Sequence, residues 1–144
     1  MRRFAILVSL FAWSFSASHV RAERPPQFRR DAKLVVSGTV KTITLTKSPY
    51  VANDAPKVRL GTLVQYTAEI VVESVEKGER ARVGDTIKVS WFHVTELTGI
   101  GFGGAVGHSY PLAEKSRARV WLMGPYEDCW AIIYNHDGVE VIKK

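Results

Sequence analysis

One cysteine, Cys129, stands in the 144 residues, so no disulfide can close within the chain. The stapled frameworks common among small exported domains are thereby excluded, and the fold has to be held by its apolar core. Cys129 lies beside Trp130 in an apolar run with no basic partner nearby in sequence. That setting predicts a buried, inert thiol and not a nucleophile. Beyond residue 22 no apolar run approaches the ~20 residues that cross a bilayer. No segment there keeps a helical period for more than about two turns, and none repeats, which excludes helical bundles and solenoids. No cofactor motif is present, and a chain this short excludes a multidomain enzyme.

Basic residues exceed acidic ones, 20 Lys and Arg against 14 Asp and Glu. Three of the 20 fall in residues 1–22, which read as an export signal. Arg2 and Arg3 supply the positive end, Phe4 to Phe15 an uncharged apolar run, and Val20-Arg21-Ala22 a small-residue cleavage site. Cleavage after Ala22 leaves 17 basic and 14 acidic residues, an ordinary balance for a soluble domain. The general secretory route, a periplasmic or secreted address and no transmembrane segment after cleavage are expected. No cysteine follows the apolar run to carry a lipid anchor there.

Residues 23–32, polar and containing Pro25-Pro26, read as an extended leader, and 33–144 as a single domain. Strand patterns fill that domain. Leu34, Val36, Gly38 and Val40 alternate with polar or outward positions, and the apolar phase then slips by one residue to Ile43 and Leu45, the mark of a bulge or bend. Breakers from Lys47 to Gly61 predict a surface loop. Val64, Tyr66, Ala68, Ile70 and Val72 define a second strand closed by Lys77-Gly78, and Ile87, Val89 and Trp91 a third. A fourth runs from Arg117 to Met123, ended by Gly124-Pro125, and a fifth from Cys129 to Tyr134. Val139 to Ile142 returns as a short edge strand guarded by lysines. Five strands and a return strand predict an all-β, closed or nearly closed small barrel, with an immunoglobulin-like β-sandwich as the alternative.

Two stretches carry a resemblance to a known module. Asp31-Ala32-Lys33-Leu34-Val35-Val36-Ser37-Gly38-Thr39-Val40, and Tyr66 through Glu73 to Lys77-Gly78, resemble the front half of the netrin-like domain. That domain is the five-stranded Greek-key, oligonucleotide/oligosaccharide-binding-type (OB-like) barrel of the tissue inhibitors of metalloproteinases and of many exported bacterial proteins. Gly84-Asp85 before the third strand also fits. The resemblance implies an OB-like barrel. It does not bring the inhibitors' mechanism, which uses an N-terminal Cys-x-Cys on the protease zinc, because Glu23-Arg24-Pro25-Pro26 contains no cysteine. The cysteine-poor bacterial relatives are the nearer comparison.

The least ordinary stretch is Thr98 to Pro111, which holds five of the eleven glycines between Gly99 and Gly107. No helix with Lys and Ser/Thr follows, so it is not a phosphate cradle. It connects the third and fourth strands, and a long loop there is a candidate binding element. The candidate binding residues are Phe102, His108 and Tyr110, with Trp91 and Trp121 as an aromatic floor. Metal binding or metal-dependent hydrolysis through His93, Glu96 and His108, with His136 as a further donor, is the rival. Arg80, Arg82, Lys88, Arg117 and Arg119 with the two tryptophans invite nucleic acid, but Glu69, Glu73, Glu76 and Glu79 intersperse them and argue against it. The expected function is a non-catalytic, exported binding module for a protein or carbohydrate ligand, without cofactor. A protease inhibitor lacking the cysteine mechanism is a third possibility.

Overall fold

The computed structural model describes residues 25–51, 57–98 and 106–143. Six strands build it: β1 Leu34–Val51, β2 Arg59–Lys77, β3 Thr86–Thr95, β4 Arg117–Tyr126, β5 Cys129–Ile132 and β6 Val139–Ile142. A single 3-10 turn, Arg29–Asp31, precedes them, and no α-helix occurs among the described residues. The described residues are all-β, and none of their helices is long and apolar enough to cross a membrane.

The strands are ordered β1-β2-β3-β5-β4-β6, and β1 also pairs with β4, so five of them form a ring. Every pairing is antiparallel except β3 with β5. β5 and β6 share one edge of β4 end to end: Leu122 to Tyr126 pair with β5, Arg117 to Val120 with β6. β3 meets β5 only from Lys88 to Ser90, opposite Cys129 to Ala131. Beyond that point the two strands part, and the candidate site lies in the gap.

The phase slip in β1 is a bulge. Val40 lies opposite Ile70 and Thr42 opposite Glu69, so Lys41 is the extra residue and everything after it changes face. Gly38 sits where β1 and β2 approach most closely; a Cβ there would lie 2.2 Å from the Val71 carbonyl oxygen.

The core inside the ring joins Leu34, Val36 and Val40 to Ile70, Val72, Val89, Val120 and Leu122, with Trp91 and Trp130 beside them. Each such aliphatic side chain contributes about 1.5–3 kcal/mol on burial, which is how the fold stands without disulfides. A smaller cluster of Ala32, Val35, Trp121 and Ile133 lies apart from it.

Four expectations change. Lys47 to Val51 and Arg59 to Gly61 are paired strand, not loop. Pro49 is tolerated because β1 pairs with β4 only as far as Thr39 and is an edge beyond it. β4 continues through the cis Gly124-Pro125 peptide to Tyr126, with a register shift after Met123. Cys129 is half-buried, not buried. The leader is docked: Gln27 exchanges hydrogen bonds with Tyr134 and accepts one from Asn135, the Arg29 guanidinium donates to the Asp137 carbonyl, and Ala32 is fully buried. Residues 1–24, with the export signal, lie outside the described residues.

Candidate functional site

Where β3 and β5 part, the chain returning toward β4 fills part of the gap. Val94 N donates to the Val106 carbonyl (2.7 Å) and His108 N to the Phe92 carbonyl (3.0 Å), so residues 106–108 lie as a short antiparallel piece on β3. Gly107 makes this possible. Its φ is +70°, and a Cβ would lie 2.0 Å from the Phe92 carbonyl oxygen. Two residues on, the Tyr110 hydroxyl is shared between the carbonyls of Ile133 (2.9 Å) and Asn135 (2.7 Å), tying this segment to the chain just past β5. Burial raises the Tyr110 hydroxyl well above the ordinary phenol range, so it stays protonated and keeps donating.

What remains open is a cavity of about 270 Å³. On its β2–β3 side Tyr66 and Trp91 stack face to face, centroids 5.0 Å apart and planes 4° from parallel. The pairing register requires this, since Tyr66 lies directly opposite Trp91. Tyr110 meets Trp91 edge-on at 6.2 Å, and His108 rests against Tyr134 at 4.7 Å. Gln65, Thr67 and Ser90 also border it, but strand alternation puts their side chains on the face of β2 and β3 opposite the stack, with Thr46 of β1 beside Gln65, and the Ser90 hydroxyl donates to the Trp130 carbonyl (3.3 Å). None of the described lining residues is a Lys, Arg, Asp or Glu. Two other depressions, both bordered by Lys33 and Glu79 toward the far end of β2, are charged open surface and lack an aromatic cluster.

Three of the five candidate binding residues therefore come together: Trp91, His108 and Tyr110. Phe102 lies outside the described residues. Trp121 does not join them. It belongs to the second cluster with Ala32, Val35 and Ile133, and the Arg29 guanidinium covers it 3.6 Å from the ring centroid. The floor of the cavity is Tyr66 with Trp91 instead. Tyr66 and Tyr134 were missed from sequence, because alternation marks the face a residue takes without saying which strand gap it borders.

The metal set does not assemble. Glu96, at φ +52° just past β3, turns to β2, where its carboxylate accepts from the Thr62 hydroxyl (2.6 Å) and pairs with Arg59 (3.4 Å). Among the described residues no three His, Cys, Asp or Glu side chains are grouped to hold a metal, so His93, Glu96 and His108 do not form a centre and His136 does not complete one.

Basic residues of β4 and β3 are paired. Arg117 binds Glu73 (2.6 Å), Arg119 binds Glu76 (2.7 Å) and Glu140 (3.4 Å), and Lys88 binds Asp128 (2.9 Å). No protein-family model, curated protein or solved structure matches this chain.

Proposed function

We propose that the chain is an exported, non-catalytic binding module on a Greek-key OB-like barrel, with its ligand held in the aromatic cavity where β3 and β5 part. The observation that carries this is the Tyr66–Trp91 stack, with Tyr110 edge-on to Trp91 and His108 against Tyr134, a small concave site with aromatic walls. Among the described lining residues the groups around His108 are aromatic or neutral, which suits binding.

The ring order and the parallel β3–β5 pair favour the barrel over the immunoglobulin-like sandwich, since a sandwich keeps two sheets stacked face to face. The netrin-like resemblance fits the same architecture, with Gly38 on the bent first strand and Lys77-Gly78 closing the second. Export rests on the charge and apolar pattern of residues 1–22.

The test compares three versions of the mature chain on a panel of glycans and short peptides. Tyr66→Ala removes the half-buried ring that stacks on Trp91. Tyr126→Ala removes an exposed ring at the end of β4, outside the cavity. Wild type and Tyr126→Ala are expected to bind the same panel members, and Tyr66→Ala to lose at least about tenfold in affinity, about 1.4 kcal/mol. Undiminished binding by Tyr66→Ala, or no binding by wild type anywhere on the panel, would contradict the proposal.

A further inference from the structure

We infer that the outer edge of β1 from Thr44 to Pro49 is a second binding surface, separate from the cavity, which takes an extended acidic peptide as an added strand. These residues are all paired with β2 and all exposed, and β1 has left its last β4 partner at Thr39. Other edges are covered or short: residues 106–108 lie on β3 beyond β5, and β6 is a strand of four residues. One bond tells which backbone groups face outward. Ile43 N donates to the Glu114 carboxylate (3.1 Å), so Ile43 turns its N–H away from β2. The pairing with β2 keeps step from Thr42 to Tyr50, and along an antiparallel pair that direction alternates. Leu45 and Lys47 therefore turn both N–H and C=O outward, and Pro49, which has no N–H, turns its C=O alone.

These groups set the length and the chemistry of the occupant. Glu114 caps the edge at one end and Pro49 ends its donors at the other, leaving about 20 Å of strand with donors at Leu45 and Lys47. Strand addition takes its affinity from such main-chain bonds and its selectivity from alternate side chains. Here the selecting side chain is cationic. β1 contains Lys41 and Lys47 and no acidic residue, and neither lysine is ion-paired among the described residues. Val64 to Thr67, opposite Thr44 to Lys47, are uncharged. A carboxylate on an added strand opposite Lys47 makes an attractive cross-strand pair, and a lysine or arginine there is repelled. The same lysine disfavours a second copy of the chain as occupant. Two β1 edges paired antiparallel about Thr46 would align Leu45 of each copy with Lys47 of the other, setting the two lysines diagonally on one face.

The test titrates a ¹⁵N-labelled chain spanning residues 23–144 with three capped seven-residue peptides and reads amide hydrogen exchange at Leu45 and Lys47. One peptide alternates threonine with glutamate, one alternates threonine with lysine, and the third is the glutamate peptide N-methylated at its glutamates. The glutamate peptide is expected to slow exchange at both amides, and the other two to bind at least about tenfold more weakly. Lys47→Glu keeps every backbone group in place and is expected to reverse the preference toward the lysine peptide. Leu45→Pro removes a donor that the pairing with β2 does not use, and is expected to abolish binding of the glutamate peptide. The inference is overturned if the glutamate and lysine peptides bind equally well, or if the N-methylated peptide binds as tightly as its parent. It is overturned also if no peptide slows either amide, or if both amides are protected without peptide in a chain that sediments as a dimer.

Discussion

Gly107 and Tyr110 hold the returning chain against β3 and β5, and each does so through one feature that a single substitution removes. Gly107→Ala combines a left-handed backbone with a Cβ 2.0 Å from the Phe92 carbonyl oxygen, so the segment must shift off β3. A loss of about 1–3 kcal/mol is expected, measured as a lower urea midpoint with unchanged slope. Tyr110→Phe keeps the ring against Trp91 and removes the donor shared by two carbonyls, with an expected cost of about 1–3 kcal/mol in the same measurement. Trp91, His108 and Tyr110 were legible in sequence because they lie in or beside a stretch of unusual composition. Trp121 was misassigned because its partners come from far along the chain. Ala32, Ile133 and the Arg29 guanidinium cover it, and no local pattern announces that contact.

At the scale of elements, bulges decide where charge goes. Val35 lies opposite Lys77 and Val36 opposite Val75, and then Ser37 opposite Ser74 and Gly38 opposite Val72, so the two extra residues of β2 are Glu76 and Glu73. Both carboxylates reach across β1, where Ser37 and Thr39 are short enough to bond them in passing, to Arg119 and Arg117 of β4. Two rungs thus span β2, β1 and β4 over the seam that closes the ring, and Glu140 of β6 extends one of them. The hydroxyl of Thr39 and then the Arg117 guanidinium hold the Glu73 carboxyl below its ordinary value of 4.5. A carboxylate held low stabilises the fold above its unfolded pKa, and that contribution is lost as pH falls from about 4.5 through the lower folded value. Glu73→Gln should therefore be less stable than wild type at neutral pH, the gap narrowing below pH 4.5; a constant gap in melting temperature across that range would count against the rung. The Lys41 bulge was legible as a slip in the apolar phase of β1. The β2 bulges were not, because Glu73 and Glu76 replace no apolar residue and leave the pattern of Val72 and Val75 unexplained until β1 is laid beside them.

For the whole molecule, one principal core inside a five-stranded ring and a lone half-buried thiol give a fold that depends on packing alone. Thermal unfolding of a chain spanning residues 23–144 is expected as one transition, coincident in near- and far-ultraviolet circular dichroism and unmoved by reductant. Two separate transitions would mean that the β1–β4 seam does not unite the ring. Strand number and class were legible, since period-two patterns report burial directly. A closed or nearly closed barrel was expected, but not the pair that closes it, because β1 and β4 lie far apart in sequence and meet only in space. The cavity is likewise a property of the assembled ring, created where β3 outruns β5. Its most direct test is a backbone amide shift map of the ¹⁵N-labelled chain saturated with the tightest-binding member of the panel. The largest shifts should cluster at Gln65 to Thr67, Ser90 to Phe92 and His108 to Tyr110, falling away toward the β1–β4 seam. Shifts concentrated instead at that seam, or around Lys33 and Glu79 beyond the far end of β2, would contradict the assignment of the cavity as the binding site.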